Sequence, residues 1–308
     1  MRTRRSLLAG VIAMALVLVG CGSDSADVTT TSGLTSTTST AVTSTTIPGT
    51  TTTEPPSTTT TTAEESGVVV YFQLDELEED AGGPFLVPVY REVGGDSPTY
   101  VMETLVAGPT DDELEGTPSI SSAIPEATTV LDVEVDGTLV RVDLSEQFDD
   151  GGGSFSMFAR LAQVVYSLTR SEEVDQVEFL IEGAPVTVFS SEGIALDGPQ
   201  GRSDYYDQLP PIFVDTPAWG EPVTSPVLVS GLSNVFEAVS QVMLTDDDGA
   251  PLFEDTVMAT CGTGCWGEWE TEAPYETDRE QFGSVIVWEF SAQDGSRINI
   301  REYPVQLR

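Results

Sequence analysis

Two of the three cysteines in this chain stand four positions apart near its C-terminal end. Cys261 and Cys265 enclose Gly-Thr-Gly, a spacing that lets the two sulfurs meet across a small loop. In an oxidising compartment such a pair forms a disulfide, and a redox-active dithiol is the alternative. A reactive thiolate needs a nearby positive charge, and no basic residue lies close to either cysteine in the sequence. The pattern therefore favours a structural disulfide.

Three aromatic residues, Trp266, Trp269 and Tyr275, follow this loop. Exposed together, their rings would form a flat platform for a sugar or a partner protein, because aromatic side chains dominate interaction hot spots. Buried, the same rings would fill the core of a small domain. The sequence favours the core, but it keeps all three as candidate interaction residues.

The charge balance excludes several kinds of chemistry. The chain has 12 basic residues, all Arg, against 51 acidic residues, with no Lys and no His, and its net charge is −39. A nucleic acid partner is disfavoured, because polyanions bind clusters of Lys and Arg. Without His there is no Ser-His or Cys-His pair and no imidazole ligand, and without Lys there is no Schiff base. We therefore expect no catalytic residue, no metal site and no cofactor.

The acidic run Asp246-Asp247-Asp248-Gly249 resembles part of a calcium loop. The EF-hand pattern would need an acid at Leu244 and a Glu at Asp255, so the match fails at both ends. A solvated turn is the favoured interpretation. Carboxylate pairs suitable for a glycosidase can be drawn almost anywhere in so acidic a chain, which makes any single pair uninformative.

The N-terminus has the pattern of an export signal. Three arginines within the first five residues precede an apolar run at 7–19, which is too short to span a bilayer comfortably. The following Leu18-Val19-Gly20-Cys21 resembles the bacterial lipobox, in which the cysteine takes a diacylglyceryl group. We expect residues 1–20 to be a lipoprotein signal peptide. Cys21 would then carry the lipid, with palmitate-type acyl chains, that tethers the protein to the outer face of a membrane.

A Thr-, Ser- and Pro-rich segment follows at 21–66. Thr accounts for 19 of the 45 residues from 22 to 66. Such a segment buries too little surface to offset its ordering entropy, so we expect a disordered stalk. As a flexible coil the stalk would reach on the order of 35 to 40 Å, which places the following domains outside the membrane.

Residues 67–197 have the pattern of an α+β domain in the order β-β-α-β-β-α-β. The predicted strands lie at 68–72, 86–91, 131–135, 138–144 and 174–181. One predicted helix begins after Ser97 and ends at Gly108-Pro109. A longer helix is predicted with Ser154 as its N-cap, and it presents an apolar face of Phe158, Leu161, Val165 and Leu168.

Four segments of this domain form an ordered set of motifs, which are Leu105-Val106-Ala107-Gly108-Pro109, Ala123-Ile124-Pro125, Val142-Asp143-Leu144-Ser145-Glu146-Gln147-Phe148 and the segment 177–183. These motifs resemble the GerMN domain of sporulation and spore germination proteins. The resemblance covers most of residues 67–197 and implies a mixed sheet with helices packed on it. It also implies a part in envelope scaffolding or assembly, and it brings no catalytic residues.

Residues 198–215 are predicted to be a connector, and residues 216–308 an all-β domain. Predicted strands lie at 226–230, 235–244, 252–259, 284–290 and 298–305. The segments 234–238, 244–249, 291–295 and 304–307 resemble the immunoglobulin-like domain of bacterial spore germination proteins. That resemblance implies a sandwich fold and a role in adhesion or interaction.

Together these features predict an extracytoplasmic, lipid-anchored protein whose two domains scaffold or bind an envelope protein partner. Sporulation, germination or envelope assembly is the implied setting. A module that binds peptidoglycan or another cell-wall polymer through the aromatics near Trp266 is the alternative. A hydrolase that uses paired carboxylates is a third interpretation, which the missing His and Lys disfavour.

Overall fold

The structure, a computed structural model, describes residues 67–75, 82–92 and 95–308. The predicted signal peptide at 1–20, the predicted lipidation site Cys21 and the predicted stalk at 21–66 lie outside the described residues. Among the described residues, no helix is both long and apolar enough to cross a bilayer. The described residues form an α+β domain, residues 67–197, and a second part at 212–308 that we call the sandwich.

The α+β domain alternates short strands with three helices in its described residues. Its elements in chain order are β1 (Gly67–Leu74), β2 (Phe85–Glu92), α1 (Pro98–Ala107), α2 (Asp111–Leu114), β3 (Ile120–Ser121), β4 (Val130–Asp136), β5 (Leu139–Leu144), α3 (Ser154–Leu168), β6 (Gln176–Ile181), β7 (Ala184–Pro185), β8 (Val188–Phe189) and β9 (Ile194–Ala195). A 3-10 turn at Glu146–Asp149 leads into α3.

Two sheets carry this domain, beside the short β8–β9 hairpin. In the first, β1 lies between β2 and β3 and runs antiparallel to both. The second has the order β4-β5-β6-β7, and its strands β5 and β6 run parallel. Parallel neighbours need a crossover connection, which α3 supplies. The predicted α+β class is confirmed, with the strands divided between sheets instead of joined in one mixed sheet.

Local signals fix the ends of α1 and the β4–β5 hairpin. The Ser97 hydroxyl accepts a hydrogen bond from the Tyr100 N–H, and Pro98 begins the helix. Gly108 ends it with a φ of 79°. Gly137 adopts a φ of 65° in the tight turn of the hairpin, a conformation that favours glycine. Both predicted elements are confirmed.

Helix α3 differs from its prediction at its first turns. Three of the four residues predicted for its apolar face are buried, but Phe158 is exposed and Met157 lies in the core instead. The cap predicted at Ser154 is also wrong, because Gly153 is the N-cap and Ser154 lies in the first turn. The helix is therefore rotated slightly from the orientation that the four apolar residues indicate.

The same helix buries polar side chains that anchor nearby loops. Arg160 donates to the carbonyl oxygens of Ala123, at 3.0 Å, and of Phe148. Gln163 accepts the Ala123 N–H at 2.7 Å and donates to the Tyr71 carbonyl oxygen at 3.0 Å. Buried polar groups are stable only when they are hydrogen-bonded, so these contacts fix the loops on either side of the β4–β5 hairpin.

The sandwich consists of strands and short turns. Its strands are β10 (Ile212–Thr216), β11 (Pro222–Val223), β12 (Val227–Ser233), β13 (Val239–Thr245), β14 (Pro251–Met258), β15 (Gly267–Ala273), β16 (Gln281–Phe290) and β17 (Arg297–Leu307). One sheet has the order β10-β12-β15 and the other the order β11-β17-β16-β13-β14. Side chains from both sheets are buried in the core, among them Val229, Trp269, Val285 and Tyr303. The predicted all-β class is confirmed for this part.

The boundary predicted between the two parts needs a correction. The predicted connector 198–215 contains a 3-10 segment at Arg202–Gln208, and its last residues belong to β10, which pairs with β12. The sandwich therefore begins at Ile212 instead of at 216. Strand β15 was also not predicted, because three glutamates alternate with its buried residues and lower its apolar content.

Candidate interaction surface

The three aromatic candidates divide between the core and its margin. Trp269 and Tyr275 are buried, and the Tyr275 hydroxyl donates to the Val223 carbonyl oxygen at 2.8 Å. Trp266 is half-buried, with its ring centroid 5.5 Å from that of Tyr206 in the 3-10 segment. These side chains form no exposed platform. Trp269 and Tyr275 are core residues, which is the interpretation that the sequence favours.

A disulfide between Cys261 and Cys265 closes the loop that joins β14 to β15, with the two Cα atoms 5.8 Å apart. This loop lies against the turn that precedes β13. Thr263 donates its N–H to the Val235 carbonyl oxygen at 2.9 Å, and its hydroxyl oxygen accepts the Glu237 N–H at 3.2 Å. The disulfide loop therefore supports the neighbouring turn through one main-chain and one side-chain hydrogen bond.

A buried carboxylate at the same end of the sandwich connects this turn to a bulge in β17. Glu289 in β16 accepts the Phe236 N–H at 3.3 Å and the Asn299 side-chain amide at 2.6 Å. Asn299 lies in a bulge of β17, where Ile298 and Arg301 pair with β16 residues that are only two positions apart. A bulge inserts a residue into one strand and redirects side chains at the rim of a sheet. Glu289 thus fixes both the turn before β13 and the bulge.

Four residues at this end hold left-handed backbone conformations although none is glycine. The φ angles are 56° at Glu237, 59° at Ala238, 53° at Thr263 and 53° at Asn299. Such conformations are unfavourable for residues with a Cβ atom and persist where their surroundings fix them. The disulfide loop and Glu289 supply that support. Backbone strain of this kind clusters at functional sites, which makes these loops a candidate site.

Five large apolar side chains are exposed at this end of the sandwich, and we call them the apolar end. They are Phe236 (52% exposed), Met258 (74%), Phe290 (50%), Ile298 (39%) and Ile300 (54%). Met258 pairs with Val239, which follows the turn that carries Phe236. Ile298 pairs with Glu289, the residue before Phe290. Single exposed apolar residues are ordinary on a protein surface, but a group of this size is typical of an interaction site.

Arg297 borders the apolar end. Its guanidinium carbon stands 4.2 Å from the ring centroid of Trp288, and that ring meets the Phe290 ring edge-on at 6.5 Å. A cation over an aromatic face is attracted by the electrons of the ring. Because Arg, Phe and Met are enriched at protein interfaces, this stacked group extends the candidate surface along β16.

A polar cluster lies where the α+β domain meets the sandwich. Asp215 in β10 pairs with Arg202 through Nη1 and Oδ2 at 2.8 Å, and with Arg170 through Nη1 and Oδ1 at 3.2 Å. The Tyr71 hydroxyl in β1 donates to the same carboxylate. The Arg202 guanidinium carbon stands 4.7 Å from the ring centroid of Tyr166 in α3. The cluster therefore joins β1, α3, the 3-10 segment and β10.

Burial and charge set the protonation of this cluster. Burial alone would raise the pKa of Asp215, but Arg202, Arg170 and the Tyr71 hydroxyl hold the pKa of this carboxyl below its usual range. Burial raises the pKa of Tyr71 above that of a free phenol. At neutral pH the cluster is then a carboxylate, a neutral phenol and two guanidinium ions. This set contains no activated base or nucleophile, and we interpret it as a structural joint.

Apolar and main-chain contacts reinforce the joint. The Phe213 ring of β10 lies edge-on to the Tyr166 ring, with centroids 6.0 Å apart. Trp219 donates its N–H to the Pro88 carbonyl oxygen at 2.8 Å and accepts the Tyr90 N–H at 3.0 Å. The described residues belong to one compact unit. The apolar end is therefore presented by a single body and not by a freely hinged domain.

The acidic run 246–249 is a turn that its own side chains stabilise. Asp246 Oδ1 accepts the N–H groups of Asp248 at 3.0 Å and of Ala250 at 2.8 Å. Asp247 pairs with Arg279 at 2.7 Å. In the part of the chain that the structure describes, no group of three or more Cys, Asp or Glu side chains is arranged to hold a metal ion.

No residue of the apolar end was among the predicted interaction residues. In sequence, Ile298 and Ile300 alternate with polar residues and are typical of a strand with one buried face. The bulge at Asn299 changes that pattern and leaves both isoleucines exposed. The signal available beforehand was position, because Phe236, Phe290 and Ile298 flank turns at the ends of strands, where side chains are often exposed.

The fold defines a class of protein in which an α+β domain with a crossover helix packs against a β-sandwich. Residues 69–187 match the Germane family, described as sporulation and spore germination. Residues 211–296 match the Gmad2 family, the immunoglobulin-like domain of bacterial spore germination. Two successive parts of the chain are therefore similar to these two families, and the resemblance to both that the sequence predicts is confirmed.

Two solved structures from Bacillus subtilis are similar to parts of the chain. The first GerMN domain of the sporulation protein GerM is 18% identical, with a TM-score of 0.36, over 44% of this chain and 99% of that one. The tandem GerMN domains of the same protein are 15% identical, with a TM-score of 0.36, over 69% of this chain and 63% of that one. A comparison with curated proteins found no match to the chain.

Proposed function

We propose that this chain is a non-catalytic, lipid-anchored protein of the cell envelope that binds a partner protein through the apolar end. The lipobox-like residues before Cys21 support the anchor, and the Thr-rich segment 21–66 supports a stalk that holds the folded body outside the membrane. The two germination-type domains support a setting in sporulation, germination or envelope assembly.

The apolar end is the observation that carries this proposal. The exposed parts of its side chains contribute nothing to the fold, but apolar and aromatic side chains are the ones that supply binding energy at protein interfaces. The Cys261–Cys265 disulfide and Glu289 hold the loops that present them. A surface fixed in advance loses less conformational entropy when a partner binds.

The remaining chemistry of the chain agrees with a role in binding. The chain has no His, the side chain that most often acts as a general base, and no Lys, the side-chain amine nucleophile. The groups with perturbed pKa values around Asp215 form ion pairs and a hydrogen bond with its carboxylate across the joint. Perturbed groups of this kind also occur in structural ion-pair networks.

Site-specific photo-crosslinking in intact cells tests the proposal. The full chain would carry benzoylphenylalanine in place of Phe290, with Phe282 as the matched control position. Phe282 is 67% exposed and lies at the other end of β16, about 27 Å away along the strand. We expect a discrete adduct with one envelope protein from position 290 and none from position 282.

Three other outcomes would contradict the proposal. An adduct with peptidoglycan alone would favour the carbohydrate-binding alternative. Equal adducts from both positions, or none from position 290, would show that the apolar end is not the binding surface.

A further inference from the structure

Carboxylates border the apolar end. Glu237 follows Phe236, Glu268 lies near the start of β15, and Asp294 lies in the turn between β16 and β17; all three acids are exposed. The Ser296 hydroxyl and N–H both donate to Asp294 Oδ1, and these hydrogen bonds lower the pKa of that carboxyl. The rim of the surface is therefore negatively charged at neutral pH.

Hydrogen bonds place the residues that carry two of these carboxylates, Glu268 and Asp294, close in the fold to residues of the apolar end. Thr260, two positions after Met258, donates its N–H to the Glu268 carbonyl oxygen at 2.9 Å, and its hydroxyl oxygen accepts the Glu268 N–H at 3.0 Å. Ser291, directly after Phe290, donates its N–H to the Ser296 carbonyl oxygen at 2.8 Å and closes the turn that carries Asp294. The apolar centre and the acidic rim thus form one surface.

The rest of the sandwich strengthens this negative field. From residue 211 to residue 308 the sequence contains 17 acidic residues and four arginines, and one of those arginines, Arg297, is stacked on Trp288. A field of this sign attracts positively charged partners and repels a second copy of the same chain.

We infer that the partner is a basic protein whose apolar patch is bordered by Lys or Arg side chains. The inference rests on the proposed function. The partner's apolar patch covers the apolar end, and its basic side chains meet Glu237, Glu268 and Asp294. The apolar contact supplies most of the affinity, whereas the exposed charges mainly raise the association rate and select the partner. Salt screens exposed charges, so the rim acts most strongly at low ionic strength.

Selection from a displayed library of random peptides tests this chemistry without a known partner. The full wild-type chain serves as bait, and the Phe236→Ser/Phe290→Ser variant serves for counter-selection. We expect the enriched peptides to carry aromatic or aliphatic residues with Lys or Arg on both sides.

Titration of one enriched synthetic peptide then measures how much the rim carboxylates contribute to binding. The variant Glu237→Gln/Glu268→Gln/Asp294→Asn should bind it about tenfold more weakly at low salt, and the difference should shrink at high salt. Glu103→Gln, an exposed acid on α1, is the matched control and should bind like the wild type. Thermal unfolding of each variant shows whether it is folded.

Different results would contradict the inference of a basic partner and the proposed binding through the apolar end. Peptides that require Phe236 and Phe290 but carry no excess of basic residues would overturn the inference and leave the proposed function standing. A rim variant that binds like the wild type at low salt would do the same. If no peptide distinguishes the wild type from the Phe236→Ser/Phe290→Ser variant, the binding surface itself is contradicted.

Discussion

Arg202 and Asp215 lie 2.8 Å apart, Nη1 to Oδ2, where the α+β domain meets the sandwich. Arg202 begins the 3-10 segment after the α+β domain, and Asp215 lies in β10, the first strand of the sandwich. Asp215 also pairs with Arg170, so parts that match two separate families share a largely buried ion pair and one hydrophobic core. This joint gives the apolar end a fixed orientation relative to the α+β domain.

Removal of the Asp215 carboxylate should destabilise the whole folded body. In the Asp215→Asn variant, Arg170 and Arg202 lose their anion in a largely buried site, and an unpaired buried charge costs about 3 kcal/mol. Denaturant unfolding of the full chain measures the loss. Asp247→Asn is the control, because it breaks a more exposed pair with Arg279 that is worth about 0 to 1 kcal/mol. Equal losses for both variants would contradict a structural joint at Asp215.

The same carboxylate should make stability depend on pH in acid. The pKa of Asp215 is lower in the folded chain than in the unfolded chain, where it is about 3.9. Its contribution is therefore fully present above the unfolded pKa and is lost as the pH falls through the folded pKa. The difference in free energy of unfolding between the wild type and Asp215→Asn should be constant near neutral pH and shrink below about pH 4. A difference that stays constant down to pH 2 would contradict this.

Loss of the disulfide should loosen the turn that carries Phe236. The Cys261→Ser/Cys265→Ser variant removes a small closed loop worth about 2 kcal/mol, and it frees Thr263, which holds Val235 and Glu237. Hydrogen exchange should become faster at 234–238 and stay unchanged in β1. A reductant should reproduce the effect on the wild type and leave the variant unchanged. Unaltered exchange at 234–238 would show that the disulfide does not support this turn.

Replacement of Glu289 should affect two loops together. Glu289→Leu removes the acceptors of the Phe236 N–H and the Asn299 amide, and such unsatisfied groups cost about 2 kcal/mol in total. Glu289→Gln keeps one side-chain acceptor and should lose about half as much. Denaturant unfolding gives the stability, and hydrogen exchange at residues 236 and 299 locates the change. If only one of the two loops responds, Glu289 does not couple them.

Local sequence signals were enough to predict most of the fold. Ser97, Pro98 and Gly108 mark the ends of α1, and Asp136-Gly137 marks the hairpin, because capping and turn chemistry depend on neighbouring residues. The strand β10 was not predicted, since its five residues follow two prolines and contain Asp215. Pairing with β12, which is a tertiary contact, decides its structure.

The candidate site was much harder to predict than the fold. The Cys261–Cys265 pair could be identified because its chemistry is contained in five consecutive residues. The apolar end combines β14, β16, β17 and the turn before β13, and its exposure depends on the bulge at Asn299. The joint likewise brings Tyr71 to Asp215, 144 positions apart. Periodicity carries no information about contacts of this range.

The affinity of the crosslinked partner for the full chain tests the central claim most directly. Once identified and purified, that protein would be titrated against the wild type, the Phe236→Ser/Phe290→Ser variant and the Phe282→Ser control. We predict that the double variant binds at least about tenfold more weakly, because two hot-spot side chains are lost, while Phe282→Ser binds like the wild type. Equal affinity of all three proteins would contradict binding through the apolar end.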